Sequence, residues 1–176
     1  MAASPEPPAI LGVDPGSVAT GWAVVSGSPE RPLVLACGVI KTNSRHAFAS
    51  RLATIQDRFT EILCRHRPSM AAVESPFHGV SARAALQLAH ARGVILAALG
   101  SAEVSTFEYS PAQIKKTMTG SGRATKEQVA YMVERSAGLK SPSHDLTDAV
   151  AVALCHQTRD RLARSISRGR TTASRL

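Results

Sequence analysis

The sequence is poor in aromatic residues, which make up only 4% of its 176 residues. Hydrophobic residues still account for 44% of the chain, enough for a substantial core in a single domain of this length. With so few aromatics, that core must be built mainly from Ala, Val, Leu and Ile. We therefore expect one compact domain with an aliphatic interior.

Cysteine is also scarce: Cys37, Cys64 and Cys155 are odd in number, widely spaced and set in apolar stretches. This pattern is typical of buried thiols in a reducing compartment, and its spacings match neither a disulfide framework nor a zinc site. The opening MAASPEPPAI lacks the basic and apolar regions of a secretion signal, and no stretch approaches the length of a membrane span. We expect a soluble cytoplasmic protein.

Acidic residues are outnumbered by basic ones, with 13 Asp and Glu against 21 Lys and Arg and a formal net charge of +8. A charge balance of this sign favours a polyanionic partner, of which nucleic acid is the leading class. The alternative is a basic protein whose excess charge lies in its tail, because six arginines fall in the last eighteen residues. We predict a disordered leader over residues 1–8, one folded domain over 9–158 and a flexible basic tail over 159–176.

The first half of the chain alternates between strand and helix patterns. Three strand-like runs come first, and connections this short predict an antiparallel meander, since parallel neighbours need a longer crossover. An amphipathic helix and a long apolar helix then alternate with two further short strands, which is the pattern of an α/β fold. The predicted elements are strands at 10–14, 20–26 and 33–42, a helix at about 46–66, a strand at 70–74, a helix at about 80–99 and a strand at 103–109.

The second half predicts three helices. Ser110 and Pro111 are a suitable N-cap and first residue for a short helix, and Thr125 with Gln128 forms a capping box for the next. The last segment contains AVAVAL, whose alternation alone would fit a strand. We interpret it as a buried helix, because Pro142 before Ser143 resembles a helix start and the run beyond is continuously apolar.

Four acidic residues lie at the ends of predicted elements. Asp14 and Glu74 each end a strand, while Asp145 and Asp148, three residues apart, share one face near the start of the last helix. Taken singly, each has an ordinary explanation as a turn residue, a strand end or a complement to the helix dipole. Brought together, four carboxylates would repel one another unless a cation compensated them, and oxygen ligands suit Mg²⁺ or Mn²⁺. On a basic protein this pattern indicates a two-metal nuclease.

The acids lie within five ordered sequence blocks that resemble the RuvC family of Holliday junction resolvases, in the RNase H-like superfamily. The blocks are ILGVDPGSVATGWAVV, AAVESPF, QLAHARGV, FEYSPAQIKKTMTGSGRATKEQV and HDLTDAVAVAL, and together they span about residues 10–157. The resemblance implies an RNase H-like fold, with a five-stranded mixed sheet of a three-strand antiparallel meander plus two parallel strands, flanked by helices. It also implies that Asp14, Glu74, Asp145 and Asp148 are catalytic and bind Mg²⁺ or Mn²⁺, two ions per site.

The same resemblance implies how the protein acts on DNA. A homodimer would hold a four-way junction and nick two strands of like polarity symmetrically, leaving 5′-phosphate and 3′-hydroxyl ends that ligase can seal. Two sites on a two-fold axis suit a two-fold substrate. RuvA and RuvB, the branch-migration proteins, are the partners that the resemblance implies.

Further candidates would handle DNA. Lys115 and Lys126 fall where the family carries catalysis-supporting lysines, whereas Lys116 has no such counterpart and is explained as solvated. Phe77 resembles the family's loop aromatic that stacks on bases at the opened crossover, with burial under the following helix as its alternative. Arg83 is a further candidate for DNA binding, and a solvated helix face would explain it equally. His144, beside the acidic pair, is a possible metal ligand or proton shuttle.

Three rival functions fit parts of the pattern. A smaller nuclease of the YqgF type also begins with a DPG strand but would not be expected to carry the FEY…KK…GSG stretch. An ATP-binding domain of the actin and sugar-kinase kind needs duplicated domains, for which 176 residues leave no room. A junction-binding module without catalysis would not require the complete set of four acids.

Overall fold

The computed structural model describes residues 8–75, 81–139 and 143–173, with side chains described as far as residue 166. Strands and helices follow one another along this part of the chain in the predicted order. They are β1 (Ile10–Asp14), β2 (Ala19–Ser28), β3 (Arg31–Lys41), α1 (Phe48–His66), β4 (Met70–Glu74), α2 (Ala82–Ser101), β5 (Ser105–Tyr109), α3 (Pro111–Thr119), α4 (Lys126–Ala137) and α5 (His144–Ala173).

The five strands form one mixed sheet in the order β3-β2-β1-β4-β5. The meander of β1, β2 and β3 is antiparallel, and its second connection has only two residues between Ser28 and Arg31. Strands β4 and β5 add to the β1 edge in parallel, each after a helical crossover. The predicted sheet is confirmed, and β1 lies at its centre with one antiparallel and one parallel neighbour.

Helices cover both faces of the sheet. On one face α1 and α2 pack through an aliphatic cluster that includes Leu11, Val13 and Ile95 around Phe59. On the other face α5 crosses the sheet, and α3 and α4 pack against it; Ile10 of β1 joins this second cluster. Because successive residues of β1 point to opposite faces, one strand supplies both halves of the core.

The helix ends form as their capping residues predict. Ser110 and Gln113 form a reciprocal capping box at the start of α3, with Pro111 as the first helical residue. Thr125 and Gln128 do the same at the start of α4, which ends at the left-handed residue Gly138. These local signals fix the two short helices that border the site described below.

Helix α5 continues past the position at which the sequence predicts a flexible tail. It runs without a break through residue 159 to Ala173, and no proline interrupts it. Beyond the sheet, Arg164 and Asp160 form an ion pair along the helix, and Arg161 pairs with Glu30 at the β2–β3 turn. The segment is therefore a helical extension over residues 159–173, while the limits of the folded domain itself stay a prediction.

Helix α2 differs from the expectation that no stretch approaches a membrane span. It is long and apolar enough to cross a membrane, judged by length and composition alone. Within it only Ala91, Ile95 and Leu99 are buried. Exposed alanines such as Ala85, Ala89 and Ala97, together with the exposed Leu86, give the helix an apolar outer surface.

The three cysteines are unpaired, but they are not all buried as the sequence predicts. Cys155 is buried on α5, Cys37 is partly buried on β3 and Cys64 is exposed on α1. Cys64 lies off the apolar stripe of α1, immediately after the buried pair Ile62 and Leu63. An apolar sequence neighbourhood was therefore a poor guide to the burial of this thiol.

Candidate active site

Two acidic residues end neighbouring strands at the same edge of the sheet. Asp14 is the last residue of β1 and Glu74 the last of β4, and the two strands pair in parallel through Val13 and Val73. Side chains alternate along a strand, so Asp14 points to the same face as Ile10, and Glu74 to the same face as Ala72. That face is the one covered by α5. The strands therefore direct both carboxylates towards the start of α5.

The start of α5 packs unusually close to the sheet because two strand residues are glycine. A β-carbon at Gly12 would lie 2.1 Å from the carbonyl oxygen of Ala149, and one at Gly21 would lie 2.1 Å from that of Asp145. Glycine within a strand often marks such a close backbone approach. This signal was present in the sequence, but the prediction did not use it. The two glycines allow α5 to bring Asp145 and Asp148 to the strand ends.

A cavity of about 370 Å³ opens at this junction of β1, β4 and α5. Asp14, Glu74 and Asp148 line it together with Lys115 and Lys126. Small and apolar residues complete its wall, namely Pro111, Ala112, Ile114, Gly122, Val129 and Ala151. The cavity thus brings together charged side chains from five separate elements of the chain.

Burial and mutual repulsion disfavour the charged forms of these acids. Burial, followed by the charges of Asp148 and Asp145, raises the pKa of Asp14 to about 7. Burial, followed by the charges of Asp14 and Asp148, raises the pKa of Glu74 to about 8. The pKa of Asp148 is raised by burial too. Asp145 does not line the cavity, but its charge contributes to the raised pKa values of Asp14 and Asp148. All four acids therefore interact electrostatically.

Two lysines oppose this repulsion. Lys126 is the first residue of α4, and its Nζ lies 3.9 Å from Oδ2 of Asp148. Its charge lowers the pKa values of Asp14, Glu74 and Asp148, against the effect of burial. Lys115 on α3 acts in the same direction on Glu74 and Asp148. The neighbouring Lys116 is exposed and does not line the cavity, in agreement with its interpretation as a solvated residue.

The donor set fits a hard divalent cation. In the part of the chain that the structure describes, no three acidic, histidine or cysteine side chains are already grouped as a ligand set. The four carboxylates nevertheless offer only oxygen donors, and a cation among them would relieve the repulsion that, after burial, raises the pKa values of Asp14, Glu74 and Asp148. Oxygen donors of this kind suit Mg²⁺ or Mn²⁺ better than softer metals.

The remaining candidates lie outside the cavity or outside the described residues. Phe77 falls in the segment 76–80, outside the described residues. Arg83 is exposed in the first turn of α2 and does not line the cavity. His144 is the exposed first residue of α5, and it opposes the effect of burial, which raises the pKa of the nearby Asp148.

The chain is similar to proteins of one known family. The family model "Crossover junction endodeoxyribonuclease RuvC" matches residues 10–156. The RuvC of Chlorobium phaeovibrioides is 41% identical over 149 residues, which cover 83% of this chain and 79% of that protein. The RuvC of Halorhodospira halophila is 44% identical over 149 residues, covering 84% and 88% of the two chains.

A solved structure agrees with these relatives. Thermus thermophilus RuvC in complex with Holliday junction substrate superposes with a TM-score of 0.82 at 35% identity, over 89% of this chain and 96% of that chain. The likeness extends over most of both chains, and it confirms the predicted RNase H-like fold. The chain therefore belongs to the RuvC family of crossover junction endodeoxyribonucleases.

Proposed function

We propose that this protein resolves Holliday junctions by symmetric paired nicks in two strands of like polarity, in homologous recombination and DNA repair. The observation that carries the proposal is the cavity in which Asp14, Glu74 and Asp148 lie with two lysines, on a chain of the RuvC family. The match to a relative in complex with Holliday junction substrate supports the choice of DNA structure. The net charge of +8 suits a polyanionic substrate.

We assign Asp14, Glu74, Asp145 and Asp148 as the residues that hold divalent metal. Nucleases of this family and fold generally depend on divalent metal, and Mg²⁺ or Mn²⁺ fits the oxygen donors of this site. When bound, a pair of such ions supplies Lewis-acid activation of the attacking water and of the departing 3′ oxygen. The products would then carry 5′-phosphate and 3′-hydroxyl ends.

The chain's own residues prepare the site for this chemistry. Strand ends hold Asp14 and Glu74 on a rigid sheet, and the first turns of α5 hold Asp145 and Asp148 against it. Lys115 and Lys126 reach the same cavity from α3 and α4. We assign both lysines to the reaction, because positive charge beside the scissile phosphate offsets the negative charge that develops during cleavage.

Phe77 and Arg83 are the further residues to which we assign contacts with DNA. Phe77 follows Glu74 by three residues in the sequence, and we assign it to stacking on a DNA base opened at the crossover. Stacking of this kind contributes about 1–3 kcal/mol per base. Arg83, exposed on α2, would contact the phosphate backbone.

We propose that the active form is a homodimer. The exposed surface of α2 supports this, since Leu86, Ala89, Gly93 and Ala97 recur every three or four residues and are all exposed. A large apolar surface exposed on a monomer marks an interaction site, and the small residues would let two helices approach closely. By family resemblance, RuvA and RuvB are the partners, and the cytoplasm is the compartment.

The proposal is tested with a labelled four-way junction and a linear duplex of matched sequence, each incubated with Mg²⁺ or Mn²⁺. The wild type should cut the junction at paired positions, and DNA ligase should seal the products. Equal cutting of both substrates would remove junction selectivity from the proposal.

A pair of variants tests the acidic site. Asp14→Asn should bind the junction as the wild type does but lose nearly all cleavage, by about 10³-fold or more, as removal of a metal ligand or an essential electrostatic group does. Asp57→Asn, which changes an exposed acid on α1, is the matched control and should cleave normally. Unchanged turnover in Asp14→Asn would overturn the assignment of the acids.

A further inference from the structure

Arg51 is a buried arginine on the apolar face of α1. It is only 7% exposed, among the apolar residues Ile55 and Phe59 of the same helix. Among the residues that the structure describes, no carboxylate pairs with it, and its partners are uncharged. Burying a charge is costly unless its hydrogen bonds are satisfied. Because no carboxylate among the described residues pairs with Arg51, its role depends on which uncharged groups of the chain it holds in place.

Arg51 holds the loop that joins β1 to β2. Its Nη2 donates to the carbonyl oxygen of Ser17 and lies 3.1 Å from the Ser17 hydroxyl. Its Nε donates to the hydroxyl of Thr42 over 3.2 Å, and that hydroxyl in turn donates to the Ser17 carbonyl over 2.7 Å. The Phe48 ring centroid lies 5.5 Å from the guanidinium carbon. Arg51 and Thr42 thus hold the same carbonyl group from two directions.

The loop is also fixed from its other side. Gly16 donates its N–H to the Thr20 hydroxyl over 3.2 Å, and the same hydroxyl donates to the Gly16 carbonyl over 2.8 Å. The amide of Thr42 donates to the carbonyl of Val18 over 2.8 Å. Three of the four residues that follow Asp14 therefore have backbone groups that are hydrogen-bonded to other elements, namely Gly16, Ser17 and Val18.

This loop directly follows Asp14, and Ser17 is only three residues beyond it. The Asp14 carboxylate shares a cavity with Glu74 and Asp148, and like charges in one cavity push one another outward. If the backbone at the strand end shifts, the carboxylate moves away from its neighbours, so its position depends on how firmly the backbone on both sides is held. Pairing with β2 and β4 holds β1 on one side, and the Arg51 network holds the loop on the other.

We propose that Arg51 is a positioning residue. By fixing Ser17 it holds Asp14 in the cavity, and it thereby sets both the affinity of the site for divalent metal and the rate of DNA cleavage. The inference rests on the proposed function: its first readout needs the assignment of the acids as metal ligands, and its second needs junction cleavage, but metal affinity is measured without DNA. Groups that orient metal ligands without touching the metal commonly change affinity or activity 10- to 100-fold.

The experiment compares Arg51→Met with Arg58→Met in the full-length protein. Both variants remove an arginine from α1, but Arg58 is exposed and pairs with Glu61. Mn²⁺ affinity is measured by calorimetry without DNA, junction affinity by fluorescence anisotropy in EDTA, and cleavage under single-turnover conditions across a range of Mn²⁺ concentrations. Circular dichroism and thermal melts establish the folded fraction to which each value is normalised.

Arg51→Met should bind Mn²⁺ about 10-fold more weakly and cleave about 10- to 100-fold more slowly per folded molecule, with unchanged junction affinity. Arg58→Met should match the wild type in all three measurements. If Arg51→Met melts earlier but keeps wild-type Mn²⁺ affinity and cleavage per folded molecule, Arg51 is only structural and the inference is wrong.

A second pair of variants covers the case in which Arg51→Met does not fold. Thr42→Val removes the shared hydroxyl at nearly constant volume, whereas Thr42→Ser keeps it. Weaker Mn²⁺ binding in the valine variant alone supports the inference, and equal binding in both overturns it. A wild type that binds Mn²⁺ but cuts no junction would contradict the proposed function while leaving the Mn²⁺ comparison valid.

Discussion

The hydroxyl of Tyr109 lies 2.7 Å from Nδ1 of His156, joining the last residue of β5 to α5 inside the core. Burial lowers the pKa of His156, so its ring is neutral near pH 7. The other ring nitrogen, Nε2, lies 3.5 Å from the Met70 sulfur, and because a thioether sulfur only accepts, we assign the ring proton to Nε2, so that Nδ1 accepts from Tyr109. Tyr109 lies opposite Glu74 in the parallel pairing of β4 and β5. The Tyr109–His156 hydrogen bond therefore attaches β5 to α5 next to the candidate active site.

Tyr109→Phe should destabilise the protein by about 1–2 kcal/mol, because it leaves Nδ1 of a buried histidine without its donor. Urea unfolding measured at pH 7.5 gives this value directly. The control is Tyr131→Phe, which changes an exposed tyrosine on α4 and should shift the free energy of unfolding by less than about 0.5 kcal/mol. Equal stabilities for the two variants would show that the Tyr109–His156 bond contributes little.

Gly12→Ala should disturb the junction of β1 and α5. Its new methyl group would lie 2.1 Å from the Ala149 carbonyl oxygen, so the helix has to move away from the strand. We expect a loss of about 1–3 kcal/mol in stability, as for other overpacked sites, and weaker cleavage as Asp145 and Asp148 shift. Gly100→Ala on α2 is the control, since a β-carbon there meets nothing within 4 Å. A Gly12→Ala variant of normal stability and activity would contradict the close packing.

The candidate acids predict a pH dependence of stability in metal-free protein. Folding raises the pKa of Asp14 from 3.8 to about 7 and that of Glu74 from 4.5 to about 8. The folded state therefore favours the protonated forms of both carboxyl groups. Their contribution to stability is fully present below about pH 4 and is lost as the pH rises to about 8. Asp14→Asn should make the metal-free protein more stable than the wild type at pH 8, and the advantage should shrink towards pH 4.

Thermal melts in EDTA at pH values from 4 to 8.5 measure this difference. Added Mg²⁺ should raise the melting temperature of the wild type more at pH 8 than at pH 5, because protonated carboxyl groups bind cations poorly. Asp57→Asn, at an exposed position, should follow the wild type throughout. If Asp14→Asn is less stable than the wild type at pH 8, Asp14 is not held at an energetic cost in the folded protein.

The positions of Asp14 and Glu74 at the ends of strands were predictable because the sequence patterns that indicate them are local. Each follows a short apolar run and precedes a turn-forming residue, and the order of elements brings the two strand ends together. Arg51 was not predictable in the same way. Its position fits the apolar stripe of α1, but an arginine in such a stripe is ordinarily interpreted as solvated. Its partner Ser17 lies 34 residues away, and only the packed fold shows the contact.

The same limit explains where the structure differs from the prediction. Basic composition alone suggested a flexible tail over residues 159–176, whereas α5 continues to Ala173 along a run without proline, with ion pairs such as Arg164–Asp160. Burial of Cys64 was inferred from neighbouring apolar residues, but the helical period places it on the solvent side of α1. Composition was informative about the kind of partner and less so about which face a residue occupies.

Lys126→Ala should slow junction cleavage about 10- to 100-fold, because it removes positive charge from the site of the developing negative charge. It should also shift the pH–rate profile to higher pH, since the Lys126 charge lowers the pKa values of three acids in the cavity. Lys126→Arg should restore much of the rate. Lys116→Ala, at an exposed position outside the cavity, is the control. Equal rates for the two alanine variants would remove Lys126 from the reaction.

Gly93→Leu should break the proposed homodimer without unfolding the monomer. A β-carbon at Gly93 meets nothing within 4 Å, and leucine favours a helix more than glycine does, so the isolated chain should keep its fold. If two copies pack through α2, however, the added side chain would keep their helices apart and weaken dimerisation about tenfold or more.

Sedimentation velocity over a range of protein concentrations measures this effect. The control is Ser136→Leu, which places the same side chain at an exposed position of α4. Paired nicking should become single nicking in Gly93→Leu, because two linked active sites are needed to cut both strands of one junction. A Gly93→Leu variant that dimerises normally would place the interface elsewhere, whereas a monomeric wild type that still makes paired nicks would contradict the homodimer itself.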